Sequence, residues 1–304
     1  MVAVVSARGL TKSYGAMPAL RELDLTIDEG EIYGLVGRNG AGKTTFMRLL
    51  LGLLRPSSGS VRVLGRAAGD PSALVAVGSL VESPALYPHL TGRDNLRLLA
   101  RYCRASASDV AEVLDRVELT DRADTRFRTY SLGMKQRLGV AAALLGDPRL
   151  LILDEPTNGF DPAAMARMRD LLRELRDRGR TVLLSSHLLG EVEQVCDRIG
   201  VLHGGRLITE GDLATIRAAA GQQARLVLRA DPAADAIARL RAFDGVGDCQ
   251  GVGEHIEVVL ETATSAQINR MLITAGIDVS ELRIDQRSLE DVFFGLTTTS
   301  GSAA

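Results

Sequence analysis

The chain has few of the features that mark a secreted, metal-stapled or membrane-spanning protein. Its three cysteines, Cys103, Cys196 and Cys249, are an odd, scattered set without metal-ligand spacing. That fits reduced thiols in a cytosolic protein rather than a disulfide framework. A net charge of -2 supplies no basic field for nucleic acid or anionic lipid. Apolar runs such as Leu138 to Leu145 stop well short of the roughly 18 residues that cross a bilayer. Val2 to Val5 is too brief for a secretory core and reads as a first strand. If this protein moves anything across a membrane, a second polypeptide supplies the path. Lysine is scarce as well: Lys12, Lys43 and Lys135 stand among 36 basic residues. The scarcity reads as a bias toward arginine, and it makes the lysine kept at position 43 informative.

What remains is an ordinary globular balance of 46% apolar and 24% charged residues over 304 positions, room for a large domain and a small one. The first 30 residues alternate in short apolar and polar steps, as antiparallel strands do. An apolar strand at Ile32 to Val36 leads through a glycine-rich turn into a helix from Lys43 to about Leu54. Residues 61–64 and 75–81 read as strands. The stretch 91–146 is helical, opened by Thr91 and Asp94 as capping residues. Buried strands at Leu150 to Leu153 and Thr181 to Ser185 alternate with helices at 162–178 and 191–196, the first capped by Asp161 and stopped by Gly179. The expectation is an α/β domain over 1–217, with a mainly parallel sheet, an N-terminal antiparallel part and a helical part. A small α+β domain follows over 222–297, with a polar tail at 298–304. In it, strands at Ala224 to Arg229, Ile256 to Leu260 and Val279 to Ile284 flank two helices. One is capped by Asp231 with Pro232 at its first position, and the other runs from Thr264 to Ala275. Ser288-Leu-Glu-Asp opens a last short helix with Asp291 in a capping box.

Two motifs carry chemistry. Gly37-Arg38-Asn39-Gly40-Ala41-Gly42-Lys43-Thr44-Thr45 fits G-x-x-x-x-G-K-[ST] in full. Its glycines let backbone N–H groups curl round phosphates at the positive end of a helix. Lys43 then bridges the β- and γ-phosphates as a point charge, and Thr44 offers its hydroxyl to Mg²⁺. Leu150-Leu-Ile-Leu-Asp154-Glu155 ends an apolar strand on two adjacent acids, costly to bury unpaired. A magnesium ion explains Asp154, and a water to be polarised explains Glu155.

Between them lies Tyr130-Ser131-Leu132-Gly133-Met134, and here the chain resembles the ABC (ATP-binding cassette) ATPases, whose signature has the form L-S-G-G-Q before a helix. Ser131 and Gly133 keep that form; Tyr130, Leu132 and Met134 depart from it. The resemblance covers about residues 4–217 and implies a P-loop NTPase fold of the ABC type, with ATP and Mg²⁺ as cofactors. It implies that Ser131 and Gly133 face the γ-phosphate held by a second subunit, and that His187 is the switch histidine on that phosphate. A lone histidine is more often structural, so His187 rests on the order of the motifs. Asp161 is similar to the acid at the dimer interface and is equally a plain helix N-cap. Tyr14 is similar to the aromatic on which adenine stacks, or is simply an isolated tyrosine. Glu82 stands where the family carries glutamine, either as a modified metal or water contact or through a slipped alignment. Glu82, the following Leu-Tyr-Pro-His-Leu-Thr, the run Tyr130-Ser-Leu-Gly-Met-Lys-Gln136 and the ending Ser288-Leu-Glu-Asp-Val-Phe-Phe-Gly-Leu-Thr resemble the bacitracin- and daunorubicin-resistance branch of bacterial exporters.

The resemblance further implies a head-to-tail dimer, a homodimer or one paired with a second cassette, closing on two ATPs and working with a separate transmembrane permease. The place of work is the cytoplasm, peripheral on the inner face of the cell membrane, and the cargo a drug, antibiotic or other amphiphile. One rival is a soluble ABC ATPase acting on nucleic acid or the ribosome. Against it stand the single set of motifs, the short interval between Lys43 and Asp154, and the lack of sustained heptads. Another rival is a self-resistance protein whose C-terminal domain binds a drug without a permease.

Overall fold

The computed structural model describes residues 2–187, 189–219 and 225–285. The chain falls into two compact units, Met1–Leu213 and Ala214–Ala304. No described helix is long and apolar enough to cross a membrane.

The first unit opens with a hairpin, β1 (Ala3–Tyr14) and β2 (Met17–Asp28). Alternation places Val5, Ala7 and Leu10 of one strand and Leu23, Leu25 and Ile27 of the other inside. Next come β3 (Ile32–Val36), buried throughout, and α1 (Lys43–Leu50). The helix ends four residues before the expected Leu54 because Gly52 takes a left-handed backbone, φ 70°. Gly52 and Leu53 then donate to the carbonyls of Leu49 and Arg48, closing the helix end. A side chain at 52 would also meet Gly69 Cα at 2.4 Å.

Strands β4 (Ser58–Val63) and β5 (Arg66–Ala67) complete a four-stranded sheet of order β2-β1-β4-β5. The short helix α2 (Pro71–Leu74), capped by Asp70, closes through Val75 and Ala76, whose N–H groups donate back to Pro71 and Ala73. Of the segment read as a strand over 75–81, β6 therefore covers only Val77–Leu80. Helices α3 (Gly92–Cys103), α4 (Ala107–Arg116) and α5 (Leu132–Leu144) form the helical part, with Thr91 capping α3 as expected. The chain then alternates β7 (Leu150–Asp154), α6 (Pro162–Asp177), β8 (Thr181–Ser186) and α7 (Leu189–Glu193). Single-turn bonds carry on from α7 to Cys196, so the helix read over 191–196 begins earlier. The hairpin β9 (Arg198–His203) and β10 (Arg206–Gly211), which the sequence reading did not resolve, leads to α8 (Leu213–Ala219).

The central sheet runs β10-β9-β3-β8-β7-β6, parallel apart from β10. Tyr33 and Leu35 of β3, Phe46 and Met47 of α1, and Ile152 and Leu183 share one core with the N-terminal hairpin. That shared core fixes α1 against the sheet and with it the loop ahead of the helix.

The second unit is β11 (Arg225–Asp231), α9 (Ala233–Arg241), β12 (Val246–Val252), β13 (His255–Leu260), α10 (Ser265–Thr274) and β14 (Asp278–Asp285). Its antiparallel sheet has the order β12-β13-β11-β14, a ferredoxin-like βαββαβ arrangement. Leu226, Leu228, Ile256 and Val258 meet Leu240, Ile268 and Leu272 in a separate apolar core. Thr264 and Gln267 cap α10 reciprocally. The expected cap at Asp231 is corrected: that residue pairs with Asp278 in the ladder, and Pro232 takes the cap position without a side-chain bond. The helix read at Ser288 to Asp291 and the tail at 298–304 lie outside the described residues.

Candidate functional site

The parallel register brings the carboxyl ends of three neighbouring interior strands, β3, β8 and β7, to one end of the central sheet. Val36 pairs with Ser186, and Asp154 with Ser185. Ligands of open α/β sheets bind at such carboxyl ends. The loop from Gly37 to Gly42 leaves β3 there, with Arg38, Asn39 and Gly40 exposed at its crest. Gly37 is needed for close approach: a Cβ would lie 2.4 Å from the Leu202 carbonyl. Gly42 has φ 112° and sits at the N-cap of α1, where a Cβ would meet the Ala19 carbonyl at 2.6 Å. No side chain caps this helix, which leaves its positive end open to an anion.

Lys43 is buried at 6% exposure. Its Nζ donates to the Gly37 carbonyl at 2.6 Å and lies 3.3 Å from Glu155 Oε1. Thr44 Oγ1 donates to Asp154 Oδ2 at 2.7 Å, and Thr45 is half-buried one position on. Asp154 is also buried, and its other oxygen accepts from Ser185 Oγ at 2.6 Å. The same Ser185 oxygen accepts from the Glu155 N–H at 2.9 Å. Two hydroxyls thus satisfy a carboxylate that would otherwise be costly to bury.

Glu155 has φ 49°, a left-handed conformation that a side chain of its size seldom adopts. Its Oε2 lies 2.6 Å from His187 Nδ1, and Gln136 of α5 donates to its carbonyl at 3.1 Å. Lys43, Thr44, Asp154, Glu155 and His187 therefore form one connected cluster. Ser185 and Gln136 belong to it and were missed. Ser185 opens the Ser-Ser-His run and Gln136 lies two residues past Met134, but neither position announces a partner.

The other expected residues stand apart from that cluster. Ser131 caps α5, accepting from Met134 N at 3.2 Å. A Cβ at Gly133 would lie 2.9 Å from the Gly159 carbonyl, so this segment packs against the loop that follows Glu155. Asp161 caps α6 by accepting from Ala164 N at 2.7 Å. Tyr14 is half exposed, with Lys12 Nζ 5.3 Å from its ring centre, a cation–π contact. Glu82 is 58% exposed, has φ 65° and pairs with Arg48 of α1; among the described residues no bond joins it to Asp154 or Glu155. Burial pushes the Cys196 thiol well above its ordinary range, and raises Cys103 and Cys249 for the same reason. All three cysteines are free, as expected.

Hard oxygens from Thr44 and Asp154 suit Mg²⁺, which binds through one or two protein groups and completes its shell with phosphates and water.

Residues 20–158 match the family model described as "ABC transporter". The chain is 37% identical over 302 residues to the uncharacterized ABC transporter ATP-binding protein YhcH of Bacillus subtilis (strain 168), covering 98% of this chain and 97% of that one. It is 36% identical over 301 residues to the bacitracin transport ATP-binding protein BcrA of Bacillus licheniformis, covering 97% and 98%. Among solved structures, the dimeric ATP-binding cassette MJ0796 bound to ADP and Pi is similar at a TM-score of 0.64 and 27% identity. That match spans 69% of this chain and 98% of the cassette.

Proposed function

The chain belongs to the ATP-binding subunits of ABC transporters, and on that premise we propose how its own residues hold and hydrolyse ATP and what the hydrolysis drives. The observation that carries the reading is the connected cluster of Lys43, Thr44, Asp154, Glu155 and His187 at the carboxyl ends of the central strands. Residues Gly37 to Thr45 cradle the phosphates, with Lys43 on the β- and γ-groups. Thr44 and Asp154 hold Mg²⁺, which when bound neutralises charge gathering on the phosphates. Glu155 orients the attacking water and takes its proton, while His187 contacts the γ-phosphate. Tyr14 supplies a face for adenine. Glu82 reaches the site as a water or metal contact. Ser131 and Gly133 cover the phosphates of a second cassette, with Asp161 at the joint between the two. Closure on two ATPs gives the power stroke and hydrolysis resets it.

The work is done on a separate membrane permease, from the cytoplasmic side of the membrane, and the direction is export. The whole-length likeness to a bacitracin transport subunit supports an amphiphilic antibiotic as the class of cargo.

Two experiments test this. Purification from native membranes in mild detergent is expected to recover a polytopic partner near one to one; recovery alone or with ribosomes or DNA overturns the permease reading. Size-exclusion of Glu155→Gln with ATP and Mg²⁺ is expected to show a trapped dimer, and a monomer at every ATP concentration overturns the closure model.

A further inference from the structure

Behind Glu155 and His187, one carboxylate holds two loops. Glu191 on α7 accepts from the Thr157 hydroxyl at 2.7 Å and from the Ser186 hydroxyl at 3.4 Å, both at Oε2. Thr157 lies two residues beyond Glu155, and Ser186 immediately precedes His187. The second carboxylate oxygen, Oε1, is buried and has no hydrogen-bond partner among the described residues. Glu191 lines a cavity of about 20 Å³ whose wall includes Met165, Met168, Leu172 and Leu184, with Arg169 beside them. A carboxylate beside such an apolar wall is costly to keep, and an unmet oxygen adds to the cost. Helix α7 and the turn after it already pack through Val192 and Val195, so anchoring this segment does not require an acid at 191. A buried polar group kept in spite of that cost calls for a reason beyond packing.

We propose that Glu191 is a positioning residue for ATP hydrolysis, clamping the Thr157 loop to the Ser186–His187 turn so that Glu155 and His187 keep one relative geometry. The proposal rests on the roles given to those two residues above. A left-handed backbone at Glu155 persists only where its surroundings over-determine it. Ser185 fixes the N–H on one side of Glu155, and the Thr157–Glu191 bond fixes the chain two residues past it. On the other strand, Ser186 ties the base of His187 to the same carboxylate. The Thr157 loop also runs on to Gly159, which packs against the Ser131–Gly133 segment. One clamp thus joins three parts of the site.

Thr157→Val removes the hydroxyl at nearly constant volume, and Thr157→Ser restores it. The test measures kcat, KM and the equilibrium binding of a fluorescent ATP analogue in the full chain, with Glu155→Gln in parallel. Thr157→Val is expected to lower kcat by about tenfold, within the range that a displacement of an ångström produces, while analogue affinity is unchanged. Thr157→Ser is expected to recover the wild-type rate. Adding Thr157→Val to Glu191→Ala is expected to cost nothing further, because the two side chains act as one unit. Wild-type kcat in Thr157→Val, or losses that multiply in the double variant, overturns the clamp. Should Glu191→Ala fail to fold, the Thr157 pair still decides. If Glu155→Gln itself turns over at the wild-type rate, the reading of the site falls. If Glu155→Gln is inactive and Thr157→Val unimpaired, only the clamp falls.

Discussion

The two units differ in what they bury and in how their backbone is bent. The buried polar and charged side chains found among the described residues (Lys43, Asn95, Gln136, Asp154, Thr181, Ser185 and Ser186) all belong to the first unit. So do the non-glycine residues with positive φ, Glu82 and Glu155 among them. The described part of the second unit has neither. Its strands alternate, its α10 is capped by rule, and its core is apolar. Sequences follow local preferences except where function demands otherwise. By that measure the departures that gather at the candidate site, Lys43, Asp154, Ser185 and the backbone of Glu155, belong to the first unit.

That contrast can be broken, and the sharpest attempt is Glu155→Gln. Its turnover is expected to fall by about 10²–10⁴-fold, the usual worth of a positioned base, without lowering the unfolding midpoint. Wild-type turnover would break the contrast at its strongest point. Leu228→Ala should do the reverse in the second unit. It is expected to cost about 2–5 kcal/mol in chemical denaturation and to leave ATP turnover per folded protein unchanged. A parallel loss of turnover would show that the second unit takes part in the chemistry. Ser185→Ala leaves Asp154 and the Glu155 N–H each short of a partner, a penalty of about 1–3 kcal/mol. Unlike the core variant, it is expected to lower kcat as well as the unfolding midpoint. Smallest is Ser131→Ala, which removes the cap of α5 for about 1 kcal/mol of stability. Its loss of ATP turnover should exceed what that destabilisation explains if Ser131 also meets a phosphate.

The glycine loop, Asp154 and Glu155 were legible in the sequence because each motif is contiguous and its neighbours declare the strand or helix it belongs to. Thr157, Ser185 and Glu191 were not. Their partners are assigned by the crossing order of β3, β8 and β7, which periodicity does not encode. The same limit explains the miss at Asp231, which reads locally as a helix cap but is drawn into a sheet ladder by a strand far along the chain. Local signals succeeded where the decision was local. Asp161 and Gly179 bound α6 as expected because each acts within its own turn.

The left-handed backbone at Glu155 has a consequence for anyone evolving this protein. Holding a side chain in that conformation costs roughly 1–2 kcal/mol, which glycine would avoid. At 155, however, glycine would also strip the buried Lys43 of its carboxylate partner, a larger loss than that saving. Glu82 is exposed, so a library selected for heat resistance alone should drift toward glycine at 82 and keep the acid at 155. A screen that never asks for turnover thus holds the base in place through its lysine while it leaves position 82 free to change.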